Sequence, residues 1–135
     1  VVAPPSDPVD TWPFEALAKT LESGLVTDWQ PIFAAIRSHP WGTLSRRVQR
    51  WIRVSEGDPA ARLFAIAIER ARQRVEDDER AEVARQVRDA IAASGLNGSD
   101  FAASVGTSAS RLSTYASGQV VPSATMLLRI QREVR

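Results

Sequence analysis

From Ala60 to Ser94 the chain contains neither proline nor glycine. That run constrains the fold more than any other feature. Asp58-Pro59 opens it with a capping side chain and a proline at the first helical position. Gly95 closes it in the manner of a left-handed helix cap. Leu63, Phe64, Ala67, Ile68, Ala71 and Val75 form one apolar stripe at helical spacing, and Val83, Val87, Ala90 and Ile91 form another. Between the stripes, residues 76–82 read EDDERAE. A helix that is polar on every side bridges packed units. The spacing therefore predicts a domain boundary at 76–82, inside one continuous or nearly continuous helix. The interrupted apolar seam argues against a long coiled coil.

The remaining segments also carry helical periodicity, and none shows the sustained alternation of a strand. Phe14, Leu17, Ala18 and Leu21 lie on one face of a segment from Thr11 to Ser23, with Pro13 near its start and Gly24 at its end. Asp28 is the expected N-cap of a second helix, with Pro31 in its first turn and Ile32, Phe33 and Ile36 facing inward. His39-Pro40 ends it, because a residue before proline is driven out of the helical region. Thr43 is the expected cap of a third helix with Leu44, Val48, Trp51 and Ile52 on one face, closed by Gly57. The expected fold is all-α. A helical bundle over residues 11–75 serves oligomerisation or partner binding, 76–82 is a charged helical linker, and 83–135 is a second helical domain. Residues 1–10, with prolines at 4, 5 and 8, read as a disordered or extended tail unlike a signal peptide.

The net charge of +1 conceals an uneven distribution. Residues 1–36 carry five acids and one base, Lys19, whereas residues 37–55 carry five arginines and no acid. Arg46, Arg50 and Arg53 share a helix face that reads first as solvated or paired with the chain's own run Glu76 to Glu82, and otherwise as a contact for DNA backbone or an acidic partner. Trp12, Trp29, Trp41 and Trp51 all precede residue 55 and read as core of the bundle or, in part, as a partner surface. No catalytic constellation is legible and no enzyme activity is expected. His39 is the only histidine and there is no cysteine, so neither a metal nor another cofactor is expected. The acidic run Asp77-Asp78-Glu79 reads as a solvated face. No apolar run reaches the length of a membrane span, and the cysteine-free composition suits a cytoplasmic location.

The C-terminal segment carries the functional signal. After Gly95, a short helix from Gly98 to Val105 is capped by Asn97 or Ser99, and Gly106 makes a tight turn. Thr107 or Ser108 caps the next helix, Ala109 to Ser117, closed by Gly118, and Pro122-Ser123 precedes a last helix. Two short helices joined by a glycine-containing turn make a helix-turn-helix. The stretch GLNGSDFAASVGTSASRLSTYASGQVVPSATMLLRI resembles the lambda-repressor and Cro-like helix-turn-helix, the XRE family. The likeness covers residues 83–133 and rests on Phe101, Ala102, Val105-Gly106, Leu112, Tyr115, Gly118 and Pro122-Ser123 at fixed offsets.

The resemblance implies a sequence-specific regulator of double-stranded DNA, a repressor, with helix 109–117 in the major groove. Ala109, Ser110, Arg111 and Thr114 are the implied base readers, Ser108 the cap, and Ser113 a phosphate contact. Arginine takes guanine bidentately, hydroxyls take bases or phosphates, and alanine touches the thymine methyl. The loop Ser117 to Ser123 is implied to offer backbone N–H groups to phosphate. Relatives often hold a phosphate through glutamine where this chain has Gly98, so Ser99 or a bare N–H must serve there. Relatives also bind as dimers, and the bundle is the expected homodimer surface. The alternative reading is an antitoxin or accessory protein that binds a protein partner through its N-terminal half and autoregulates its operon. A helical structural protein that binds no DNA is a third reading.

Overall fold

A computed structural model describes residues 8–133. Among them are seven α-helices, one 3-10 turn (Val9–Thr11) and no strand. The helices are α1 (Phe14–Ser23), α2 (Val26–Ser38), α3 (Thr43–Val54), α4 (Pro59–Ser94), α5 (Gly98–Val105), α6 (Ala109–Ala116) and α7 (Ala124–Arg132). The protein is all-α, as its periodicity dictates. No helix among the described residues is long and apolar enough to cross a membrane. The chain divides into two compact units, Val1–Val75 and Glu76–Arg135. Helix α4 runs through the division without a break, as expected of a stretch lacking proline and glycine. The charged stretch 76–82, expected as a separate linker, belongs to the second unit. There Arg80 and Ala84 lie beside Gly118, at the end of α6.

The first unit is built around Phe64, which is fully buried in α4. Phe33 stacks on its ring at 4.6 Å, and Trp29 and Trp51 meet it edge-on at 5.4 Å and 6.3 Å. Such aromatic pairs favour offset or edge-to-face geometry because ring faces and edges carry opposite partial charge. Leu17, Leu21, Ile32, Ile36, Val48 and Ile68 fill the space around this cluster. The polar atoms of the core find partners. Trp29 Nε1 donates to the Thr20 carbonyl, Trp51 Nε1 to Glu22 Oε1, and the buried Ser45 hydroxyl to the His39 carbonyl. Trp12 is buried as well, whereas Trp41 is exposed beneath the Arg72 guanidinium.

Three local expectations are corrected. The tail expected over residues 1–10 lies outside the described residues up to position 7. Beyond that it is ordered, with Val9 buried in the 3-10 turn and Arg47 Nη1 donating to the carbonyls of Asp10 and Trp12. Helix α2 starts at Val26, so Asp28 is its third residue and not its N-cap. Its carboxylate reaches back to accept the Leu25 N–H at 2.9 Å, and it still complements the positive helix end. Pro31 consequently sits one turn deeper than the first turn, on an exposed face. Thr43 is the first residue of α3 and caps nothing, because its hydroxyl oxygen accepts instead from Arg46 Nη2. Asp58 does cap α4, accepting the Ala60 N–H at 2.8 Å.

All four tryptophans precede residue 76, so their fluorescence reports the first unit alone. Phe64→Ala removes the ring on which three aromatic side chains converge. It should lower the stability of this unit by about 3–5 kcal/mol. Urea titration followed by tryptophan fluorescence should show the midpoint fall. An unchanged midpoint would mean that the cluster does not hold the unit together.

Candidate nucleic-acid interface

The second unit has its own core: Val87 and Ala90 of α4, Phe101, Ala102 and Val105 of α5, Leu112 and Tyr115 of α6, and Ile130 of α7. The local sequence sets each helix end. Asn97 Oδ1 accepts the Asp100 N–H at 2.8 Å and starts α5. Gly106, at φ +82°, ends α5 in the left-handed region, where a side chain would be strained. Ser108 Oγ accepts the Arg111 N–H at 3.1 Å and starts α6. Ser123 Oγ accepts the Met126 N–H and starts α7. Each cap satisfies an N–H that the helix itself leaves without a partner.

Leu112 and Tyr115 turn one side of α6 into the core, so the other side faces solvent. Ser108, Ala109, Ser110, Arg111 and Ser113 are all exposed, and Thr114 is half-buried. Six of the seven residues singled out from the sequence therefore gather on and just before one eight-residue helix. The hydroxyls of Ser108 and Ser110 lie 3.4 Å apart. The Thr114 hydroxyl donates to the Arg111 carbonyl at 2.6 Å. Ser99, the seventh, is exposed at the start of α5, and no hydrogen bond joins it to α6 among the described residues. The adjacent Asp100 carboxylate opposes a second anion at that helix end.

The arginines of this unit differ in what they hold. Arg85 is bracketed by Glu82 one turn before it and Asp89 one turn after. Arg88 Nη1 donates to the Ala116 carbonyl at 2.7 Å and so fastens the end of α6 to α4. Arg111 alone among the side chains of α6 is charged, and no ion pair engages it among the described residues. Arg129 of α7 lies over the α5–α6 turn, with Nη1 3.7 Å from where a Cβ on Gly106 would stand. Sequence reading missed Arg88 and Arg129, since both placements depend on how separate helices pack. Part of the loop after α6 is also engaged internally. Gly118, Gln119 and Val120 direct their N–H groups to Tyr115 O, Ser117 Oγ and Thr114 O, so these three are not available to a phosphate.

The surface is chemically suited to a polyanion with hydrogen-bonding edges. It offers one unpaired guanidinium, several small hydroxyls and a methyl group along one exposed helix. Among the described residues, no group of three or more His, Asp or Glu side chains could hold a metal ion. No family model, curated protein or solved structure matches the chain.

Hydrogen bonds from Arg85 and then Gln86 pull the Glu82 carboxyl from 4.5 down to about 2. Its folded-state value is depressed, so the interaction is complete above pH 4.5 and is lost as the pH falls toward about 2. An NMR titration should place the Glu82 midpoint near 2, and Arg85→Ala should return it toward the ordinary carboxylate range. A midpoint that Arg85→Ala leaves in place would remove Arg85 as the cause.

Proposed function

We propose that the protein is a sequence-specific DNA-binding transcriptional regulator, a repressor, that lays α6 in the major groove of its operator. The observation that carries this reading is the helix pair itself. Helices α5 and α6 share a core through Phe101, Ala102, Val105 and Leu112, turn at Gly106, and leave the reading face of α6 bare. A helix held by its neighbour and exposed along its N-terminal half has the dimensions to enter the groove. Arg111 then takes a guanine edge, or a phosphate beside it. Ser110 and Thr114 meet base edges, Ala109 meets a thymine methyl, and Ser108 and Ser113 meet the backbone. The resemblance to the XRE family, carried by Phe101, Ala102, Val105-Gly106, Leu112, Tyr115 and Gly118, supports the same docking.

One short helix makes few base contacts, so the protein would act as a homodimer on a two-fold site with half-sites about 34 Å apart. The first unit is the surface proposed for pairing. It exposes Leu63 and Ile66 one turn apart on α4, and Val54 at the end of α3.

Capture of genomic fragments by the purified chain would yield its site. On that site Arg111→Ala should weaken binding by about 1–3 kcal/mol and relax the choice of base at one position. A uniform loss on every duplex would place Arg111 on a phosphate. No loss on any duplex would refute the docking. Light scattering should give twice the chain mass for the protein in solution. A monomer that protects an asymmetric site would exclude the two-fold arrangement.

A further inference from the structure

Helix α3 holds Arg46, Arg47, Arg50 and Arg53 and no acid. Its inner face is Leu44, Ser45, Val48 and Trp51. At about 100° per residue, Arg46, Arg50 and Arg53 fall together on the opposite side, and all three are exposed. Arg47 turns away from this strip to bind the carbonyls of Asp10 and Trp12. Arg50 is held in place by the Phe14 ring, with its Cζ 4.3 Å from the ring centroid. Contact through the guanidinium face leaves the N–H edges open. No ion pair engages the three strip arginines among the described residues. Like charges at i,i+4 oppose helix formation. Apart from the Arg50–Phe14 contact and the Arg46–Thr43 hydrogen bond, the fold of the first unit gives this like-charged strip no partner among the described residues.

We propose that the Arg46–Arg50–Arg53 strip is a second nucleic-acid contact that binds the phosphates of duplex DNA. The inference rests on the DNA-binding reading of α6 and assigns a role to the other unit. Guanidinium forks match phosphate oxygens bidentately. Successive strip residues rise about 6 Å and then about 4.5 Å along the helix axis. Over that span of about 10.5 Å a DNA strand presents about three phosphates, one about every 3.4 Å of duplex axis. An acidic protein is the weaker fit. Protein interfaces have a centre depleted in charge and rich in aromatic residues, whereas Val54 is the only large apolar side chain of α3 among the strongly exposed ones.

The test measures full-chain binding to a random-sequence duplex as a function of salt. Each phosphate contact contributes about 0.9 to the slope of log K against log salt. The R46Q/R50Q/R53Q variant should reduce the slope by about 2.7, and R46K/R50K/R53K should keep it near that of the unsubstituted chain. R62Q/R70Q/R74Q removes the same charge from exposed positions of α4 and should leave the slope unchanged. If the glutamine triple unfolds, as read by tryptophan fluorescence, the single variants replace it at about 0.9 each. Equal slope changes in the α3 and α4 variants, or none in α3, overturn the proposal. So does a strip that governs binding of polyglutamate and not of duplex. A chain without salt-dependent duplex binding overturns both this contact and the reading of α6. A site that weakens with Arg111→Ala while the strip variant keeps its slope overturns the strip alone.

Discussion

What α6 offers to solvent depends on how Leu112 and Tyr115 are gripped. An eight-residue helix is far too short to persist alone in water, because its nucleation cost exceeds what a few hydrogen bonds return. Phe101, Ala102 and Val105 supply the apolar surface that offsets this cost, and Ala102 is small enough for the two helices to touch. Ser108 then fixes where α6 begins, and the Arg88 guanidinium holds the Ala116 carbonyl at its end. The exposed face has one orientation because its opposite face has no alternative partner within the unit.

The arginines show the same logic in charge. They share one chemistry, yet their neighbours divide them into distinct jobs. Arg85 sits in a carboxylate bracket, Arg88 and Arg47 bind backbone carbonyls, and Arg72 ties Pro40 and Gln49 to α4. Arg111 and the outer strip of α3 have no carboxylate or carbonyl partner among the described residues, although Arg46 donates to the Thr43 hydroxyl and Arg50 lies on the Phe14 ring. A count of basic residues would treat all of these as equivalent.

Much of this was legible in the sequence, and the reasons differ by element. Helix identity followed from apolar spacing and from the places where glycine and proline fall. The cap at Asp58, and those at Asn97 and Ser108 as one of two candidates each, were readable because a short polar side chain precedes each apolar run. The start of α2 was not, since Leu25 carries no side-chain acceptor and the carboxylate that binds its N–H comes from three residues later. Burial of Val9 was hidden because Arg47, distant in sequence, holds the turn that Val9 begins. The exposed face of α6 was visible as a local pattern. Arg129 over Gly106 was invisible, because it joins positions on two elements whose packing no local pattern encodes.

The Thr114 hydroxyl gives its proton to the Arg111 carbonyl, and under the proposed docking this would bias what α6 reads. The donated proton leaves this hydroxyl able only to accept, beside a methyl group. In a major groove such a side chain suits the amino groups of adenine and cytosine and the methyl of thymine, and is mismatched to the acceptor pair of guanine. Arg111 has the reverse polarity, with donors only. Under the proposed docking the two residues would act as complementary filters, and a site read by both would place a guanine opposite one and an amino-bearing base or thymine opposite the other.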